Sequence, residues 1–167
     1  TFEVLNLACK SLQSISDEFV LDISHVGVVR EIIDNLSITA EEKNLIIKCI
    51  GEKNTHDIAK ITGAEKLVKL VSTYGSLDKV LPVLNEIYPN GLSESAKSLV
   101  NVINALNAED FGGKIRIDFS VLNDMNYYSG IVFKGFVKGI FASILSGGQY
   151  DNLMKKMGRK SGAIGFA

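Results

Sequence analysis

The sequence predicts an α+β fold in which an antiparallel sheet lies against helices and a helical segment interrupts the chain. Three observations lead to this expectation. Residues 1–36 show patterns of helix, strand and helix in turn, residues 37–108 are helical almost throughout, and residues 109–167 return to strands joined by short links. The 167 residues are enough for one domain that carries an insertion.

The first segment opens with apolar residues at helical spacing over residues 2–14, which predicts a helix. The stretch EFVLDIS, residues 18–24, alternates apolar and polar side chains and carries a β-branched valine, so it predicts a strand. The sequence HVGVVREIIDNL then turns from that strand into a second amphipathic helix. Residues 1–36 are therefore expected to belong to the core of an α/β structure.

Helix start signals divide the second segment. Thr39 and Glu42 have the spacing of a capping box, and Thr55 is expected to cap a short helix that follows. Pro82 is placed in the first turns of a later helix, where proline is tolerated. No catalytic motif occurs here, so residues 37–108 are interpreted as an inserted helical bundle with solvated charged faces.

The third segment carries the strongest strand patterns. KIRIDFSVL, residues 114–122, alternates strictly and predicts one strand, while YYSGIVFKGFV and GIFASILSG predict two more. Because the links between them are short, antiparallel pairing is expected. YDNLMKKMG predicts a short helix with Asp151 in its first turn, and SGAIGFA predicts a last strand.

Composition and charge exclude several functional classes. Hydrophobic residues make up 46% and charged residues 22% of the chain, as in a globular protein. No apolar run approaches the roughly 20 residues of a membrane span. The net charge of −1 provides no global positive field to attract nucleic acid, so no nucleic-acid partner is expected. Cys9 and Cys49 are expected to be reduced core thiols, and the isolated His25 and His56 indicate no metal site.

Both ends of the chain indicate that it belongs to a larger fold. Thr1 follows no methionine, the helical pattern starts at once, and no signal peptide is present. The last residues form a strand-like run that stops on an apolar side chain. The sequence is therefore expected to be a fragment cut at both ends, from a cytoplasmic protein.

Three tyrosines lie beside glycines near the end of the chain. Tyr127 and Tyr128 open a β-branched run, and Tyr150 follows the pair Gly147 and Gly148. One interpretation is strand and turn packing, with one ring of the tyrosine pair in the core and the other facing a groove. The other is a pocket for a small polar ligand, in which glycines let the backbone approach closely.

The spacing of these motifs resembles that of the histidyl-tRNA synthetase family. The elements YYSGIVF, GGQYDNL and GFA are present in the family's order. The resemblance covers the whole chain and implies the fold of a class II aminoacyl-tRNA synthetase. It implies that residues 1–36 follow motif 2, that residues 37–108 form the helical insertion, and that residues 109–167 form the histidine-binding half of the core.

The resemblance also implies a histidine-binding role for the tyrosine–glycine set, with no metal and no cofactor. The histidine-binding residues that it implies are Tyr127, Tyr128, Gly147, Gly148 and Tyr150.

Two substitutions depart from the family pattern. Neutral Asn123 stands where the synthetases carry an arginine beside the reacting phosphate, and Gln149 replaces a second arginine. Losing one preorganised charge donor at such a centre typically lowers the rate by about 10²–10³. The chain is therefore more similar to the non-catalytic paralogues in the family, the regulatory subunits of ATP phosphoribosyltransferase.

Further expectations follow from that resemblance. Such a subunit is no enzyme: it joins a short-form catalytic transferase in a hetero-oligomer and makes the first step of histidine biosynthesis responsive to histidine, an allosteric effector. A homodimer would form through segments outside this chain, and neither membrane nor nucleic acid is implied. The alternative is an active histidyl-tRNA synthetase, an enzyme that ligates histidine to its tRNA.

Overall fold

A computed structural model describes residues 1–111, 113–122, 125 and 127–167 of the chain. The first three elements are α1 (Phe2–Ile15), β1 (Phe19–His25) and α2 (Val26–Asp34), in the predicted order. Apolar side chains of α1 lie on one face and are buried, as the helical spacing predicts. Six of the seven residues of β1 are buried, because the strand lies inside the sheet.

Five helices follow, and they begin with the predicted capping box. Thr39 Oγ1 accepts a hydrogen bond from the backbone N–H of Glu42, and the Glu42 carboxylate accepts one from the N–H of Thr39. Among the described residues, these helices are α3 (Ala40–Gly51), α4 (Thr55–Ile58), α5 (Glu65–Ser72), α6 (Leu77–Ile87) and α7 (Glu94–Asn107).

One of two local expectations for these helices is wrong. Asn54, not Thr55, caps α4, since its Oδ1 accepts a hydrogen bond from the N–H of Asp57 and its Nδ2 donates to the Asp57 carboxylate. Pro82 is the sixth residue of α6 and so lies in its second turn, within the first turns as expected. Its side chain is exposed, so the pyrrolidine ring meets no packed neighbour.

The remaining elements complete a five-stranded sheet. They are β2 (Ile115–Ile117), β3 (Ile131–Val137), β4 (Leu145–Gln149), α8 (Asp151–Lys156) and β5 (Ile164–Phe166). The strand order in the described residues is β2-β1-β3-β4-β5. The pairs β1–β3, β3–β4 and β4–β5 are antiparallel, which confirms the predicted α+β class.

The first strand of this segment differs from its prediction in length and pairing. The strand β2 ends at Ile117, because the Asp118 carboxylate accepts hydrogen bonds from the N–H and Oγ of Ser120 and turns the chain. It pairs with β1 in parallel, so β2 and β3 are not neighbours. The short link between consecutive strands therefore does not make a hairpin here, because β1 lies between them.

Helices and sheet share one core. The helix α1 packs on β3 and α7, while α7 also packs on β1 and β2. Both cysteines are buried in this core without a disulfide, and burial raises the pKa of the Cys9 thiol to about 12, which keeps it protonated and unreactive. None of the helices in the described part of the chain has the length and apolar character needed to cross a membrane.

Candidate ligand-binding site

The structure brings the three predicted tyrosines together at one end of the sheet. The rings of Tyr127 and Tyr128 have centroids 4.8 Å apart and meet edge to face, and the ring of Tyr127 lies 6.0 Å from that of Tyr150. Tyr127 and Tyr128 precede β3 rather than forming part of it. The loop before β3, not strand alternation, therefore orients the two rings. It leaves Tyr127 exposed, while the half-buried Tyr128 packs against the core.

These tyrosines border a cavity of about 340 Å³, a volume at the lower end of the range for small-ligand sites. Two neighbouring strands form its floor. It is lined by Tyr127, Tyr128, Ser146, Gly147, Tyr150, Gly165, Phe166 and Ala167.

Small residues keep the floor of the cavity open. In the β4–β5 pair, Gly148 lies opposite Gly165, and the backbone groups of Ser146 and Ala167 bond each other at 2.9 and 3.0 Å. Alternation places these four residues on one face of the sheet. Ser146, Gly165 and Ala167 line the cavity, so a ligand there can approach the strand backbone closely, whereas Gly148 lies beneath the Tyr128 ring.

The two predicted glycines face opposite sides of the sheet. Both lie within β4 and pair with β3, so the expectation of a turn after the strand is wrong. A Cβ on Gly148 would come within 2.5 Å of the Tyr128 ring, so that ring rests directly on the glycine. A Cβ on Gly147 would meet Phe166 Cβ at 2.6 Å and the Phe133 ring at 2.7 Å on the core side. Gly148 therefore shapes the site by seating the Tyr128 ring, and Gly147, which itself lines the cavity, leaves room for the Phe133 and Phe166 side chains.

A carboxylate fixes the segment that carries Tyr150. Oδ1 of Asp151 accepts a hydrogen bond from the N–H of Ala163, and its Oδ2 accepts one from Nε2 of Gln149, both at 3.0 Å. The backbone N–H of Asp151 donates to Oγ of Ser129. Asp151 does more than favour the first turn of α8, since it ties the helix to β4, to Ala163 just before β5 and to the loop before β3.

The structure does not place all of the predicted site. Asn123 lies outside the described residues, as do its neighbours Asp124 and Asn126. Among the described lining residues of the cavity, none carries a formal charge at neutral pH. This lining can hydrogen-bond a ligand through tyrosine hydroxyls and backbone groups and can stack an aromatic ring, and its described residues include no carboxylate, imidazole or cation.

Sequence reasoning missed Gly165 and Ala167 as site residues. In SGAIGFA these two small residues alternate with the larger Ile164 and Phe166, so the period of two already predicts a bare strand face. The hydrogen-bonding role of Ser129 had no such signal, because it depends on the strand order.

A second polar cluster lies away from the cavity, where β1 meets α2. Nδ1 of His25 accepts a hydrogen bond from the N–H of Gly27 and caps α2. Burial lowers the pKa of His25 to about 4, against the opposing effect of the nearby Glu31 carboxylate. At neutral pH the imidazole is therefore uncharged, as an acceptor at Nδ1 must be.

Hydrogen bonds keep Glu31 ionised in this cluster. The Tyr88 hydroxyl donates to its Oε2 at 2.7 Å. Partial burial acts to raise the pKa of Glu31, but hydrogen bonds from Ser95, Ser93 and Tyr88 outweigh it and hold the pKa below its usual value. The cluster joins α2 to the start of α7.

Comparisons with known proteins extend over the whole chain. The ATP phosphoribosyltransferase regulatory subunit of Caldanaerobacter subterraneus subsp. tengcongensis is 34% identical over 99% of the chain, which spans 46% of that relative. The structure also matches a crystal structure named as an ATP phosphoribosyltransferase regulatory subunit/histidyl-tRNA synthetase from Bacillus halodurans. Its TM-score is 0.82 at 23% identity, over 99% of this chain and 46% of that one.

A third likeness is more distant. A chain of an ATP phosphoribosyl transferase complex from Thermotoga maritima matches with a TM-score of 0.70 at 17% identity, over 89% of this chain and 55% of that one. These structures confirm the predicted class II synthetase-like fold. The family model described as histidyl-tRNA synthetase matches residues 1–167. The chain therefore belongs to the histidyl-tRNA synthetase family.

Proposed function

We propose that the protein to which this chain belongs is a non-catalytic regulatory subunit of ATP phosphoribosyltransferase that acts in the cytoplasm and senses histidine. The proposal rests on the similarity to a protein named ATP phosphoribosyltransferase regulatory subunit, which is 34% identical over 99% of the chain. The chain spans less than half of that relative, so the proposal concerns the whole protein and rests on this portion of it.

The composition of the candidate site supports a role in ligand binding rather than in catalysis. An aromatic wall and a backbone floor suit an amino acid whose side chain is an imidazole, because a tyrosine ring can flank the ring and a hydroxyl can donate or accept. Adenylate formation needs a cation where negative charge builds on phosphate. By the resemblance to the synthetases, neutral Asn123 and Gln149 would stand at the two positions where the family carries arginines.

The regulatory mechanism would be a coupling free energy between two sites. Histidine in the cavity would contact Tyr150, and the hydrogen bonds of Asp151 connect the start of α8 to Ala163, just before β5, and to Ser129. A ligand that favours one position of α8 would therefore change the affinity or activity of a bound catalytic subunit. Such coupling is reciprocal for binding, so the catalytic subunit would also alter the affinity for histidine.

The proposed partner is the short-form catalytic transferase in a hetero-oligomer. The subunit would also form a homodimer through segments outside residues 1–167. Within the chain, residues 1–36 and 109–167 would form part of the synthetase-like core, and residues 37–108 would form the helical insertion. The likeness to the Thermotoga maritima complex supports a fold suited to this assembly.

An active histidyl-tRNA synthetase is the second candidate, and the match of residues 1–167 to the synthetase family favours it. It requires a cation at the reacting phosphate that the described lining of the cavity does not contain. Another segment of the protein would have to supply that charge.

Histidine-dependent exchange between ATP and pyrophosphate, measured on the full-length protein, separates the two candidates. We expect no exchange above background, because the adenylate needs the missing cation. Mixing with the short-form transferase should produce transferase activity that falls as histidine is added. Clear exchange would instead establish the synthetase, and absence of both exchange and activation would contradict both candidates.

A pair of tyrosine variants tests the site itself. Tyr150→Phe removes a hydroxyl that lies beside Gly165 on the cavity floor, and we expect histidine affinity to fall about tenfold. Tyr74→Phe is the matched control, since Tyr74 is exposed and lies outside the lining. Calorimetric titration with histidine measures the affinity of both variants. Equal affinities would show that the Tyr150 hydroxyl does not contact histidine.

A further inference from the structure

A larger and more basic cavity borders α8. Its volume is about 680 Å³, within the range of small-ligand sites. It lies where α2, α3, the chain at Met125 and α8 meet. The described residues that line it are Arg30, Lys43, Ile47, Met125, Asn152, Lys155 and Lys156.

The described residues that line this cavity carry only positive charge. Four of the seven described lining residues are cations and none is a carboxylate, although the whole chain has a net charge of −1. Cations placed around one concave surface raise the local positive potential and attract anions. The cavity therefore has an electrostatic character that the chain as a whole lacks.

Two of the cations are held in place by neighbours. Nη2 of Arg30 donates to the carbonyl oxygen of Met125 at 2.5 Å, which joins α2 to the loop before the tyrosines. Nζ of Lys43 lies 2.5 Å from Oδ1 of Asp34. These contacts hold two cations in place along one wall of the cavity, and the Asp34 carboxylate partly neutralises the charge of Lys43.

The other two cations have no such partner. Lys155 and Lys156 are exposed at the end of α8, and within the described part of the chain neither has a carboxylate within ion-pair distance. Lysines in the last turn of a helix also stabilise its dipole, which would explain them if they stood alone. The dipole does not account for Arg30 and Lys43, which come from other helices and line the same cavity.

We propose that this cavity binds a phosphate-bearing small molecule. Lys155 and Lys156 would contact the phosphate oxygens, the Asn152 amide would donate a further hydrogen bond, and Ile47 and Met125 would contact an apolar part of the ligand. This site is separate from the tyrosine cavity and does not depend on the proposed function. It shares α8 with that cavity, since Tyr150 lies at the start of the helix and the two lysines lie at its end.

Titration of the full-length protein with inorganic pyrophosphate at constant ionic strength tests the proposal. The double variant Lys155→Gln/Lys156→Gln should weaken pyrophosphate binding at least tenfold. The matched control, Lys10→Gln/Lys79→Gln, removes the same charge from exposed lysines that lie outside the cavity, and its affinity should stay within twofold of the parent. Because all four lysines are exposed, both variants should fold.

Three results would overturn the proposal. They are the absence of pyrophosphate binding to the parent protein, an equal loss of affinity in both double variants, and binding of an RNA hairpin without binding of pyrophosphate. Histidine titration of the same variants provides a separate readout, since it reports the tyrosine cavity. Loss of pyrophosphate binding with unchanged histidine affinity would establish two independent sites.

Discussion

At the scale of single residues, the shape of the candidate site depends most directly on Gly148. A Cβ there would lie 2.5 Å from Tyr128 Cδ1 and 2.9 Å from Val132 Cγ1, both closer than van der Waals contact allows. Gly148→Ala should therefore displace the Tyr128 ring and weaken histidine binding at least tenfold, as measured by calorimetric titration of the full-length protein.

The matched control for that change is Gly51→Ala. Gly51 is the last residue of α3, and a Cβ there meets nothing within 4 Å. Alanine should leave histidine affinity unchanged and stabilise the protein by about 0.5–1 kcal/mol, since glycine is the poorer helix former. Unchanged affinity in Gly148→Ala would show that the Tyr128 ring does not contact the ligand.

His25 should make stability depend on pH in a defined window. Its folded pKa is about 4 and its unfolded value is near 6.5, so the unfolded chain binds more protons between these values. Stability is therefore lost as the pH falls from about 6.5 to about 4, by roughly 2 kcal/mol between pH 7 and pH 5. Glu31, whose pKa is also lowered, loses its contribution below the usual carboxylate range instead.

Denaturant unfolding of His25→Asn at the two pH values measures this dependence. Asparagine can keep the cap by accepting from the N–H of Gly27, but it does not titrate. Between pH 7 and pH 5, we expect the free energy of unfolding to fall by about 2 kcal/mol less in the variant than in the parent. His56→Asn, a change at an exposed histidine, should behave like the parent. Equal pH dependence of stability in all three proteins would show that His25 does not cause it.

Sequence reasoning found part of the candidate site because its residues occur in motifs. Tyr127, Tyr128 and Tyr150 were identified from local spacing, and the structure gathers them around one cavity; their binding role stays a prediction. Gly165 was missed, since its part in the floor depends on which strand lies beside β4. The position of Asn123, outside the described residues, stays a prediction from the motif alone.

At the scale of elements, a partly buried ion pair joins β2 to β1. Nε and Nη2 of Arg116 donate to the two carboxylate oxygens of Asp22 at 2.6 and 2.8 Å, and the two residues are register partners. The Asp22 side chain is only 6% exposed, so its charge depends on the arginine. This pair strengthens an attachment that has only three residues of β2 to support it.

Arg116→Met should destabilise the protein by about 3 kcal/mol, because it leaves a buried carboxylate unpaired. Denaturant unfolding measures the change. Lys138→Met is the control, since its ion pair with Glu18 is exposed and should be worth less than about 1 kcal/mol. The double variant Asp22→Leu/Arg116→Met should recover most of the loss, and a loss as large as that of Arg116→Met alone would show that packing, not charge, explains the effect.

Element types were predictable, but the pairing of β2 was not. Helix α3 followed from its capping box, and β1 followed from alternation, because both signals are local. The end of β2 depended on the side chain of Asp118 bonding to Ser120, which competes with the continuing strand pattern. Its parallel partner β1 lies far away in the sequence, and no local pattern specifies such a pair.

At the scale of the whole molecule, the helical segment and the sheet should open as one unit. The buried residues form one cluster that includes Leu99 of α7 as well as Phe133 of β3. Leu99→Ala should therefore lower the opening free energy of α7 and of β3 by a similar amount, about 2–5 kcal/mol. Hydrogen exchange of the full-length protein, read by peptide, measures both elements. Loss of protection in α7 alone would indicate an independently unfolding bundle.

The position of β1 also has a consequence for the nascent chain. Its neighbours in the sheet, β2 and β3, both follow α7, and Asp22 and Arg116 are 94 residues apart. At a translation rate of about 5–20 residues per second, β1 waits roughly 5–20 seconds for a partner strand. During that time its unpaired backbone groups are available to other chains, and α1 and the helices being synthesised can shield them. The helical segment would thus act first as a cover during synthesis and only later as part of the finished core.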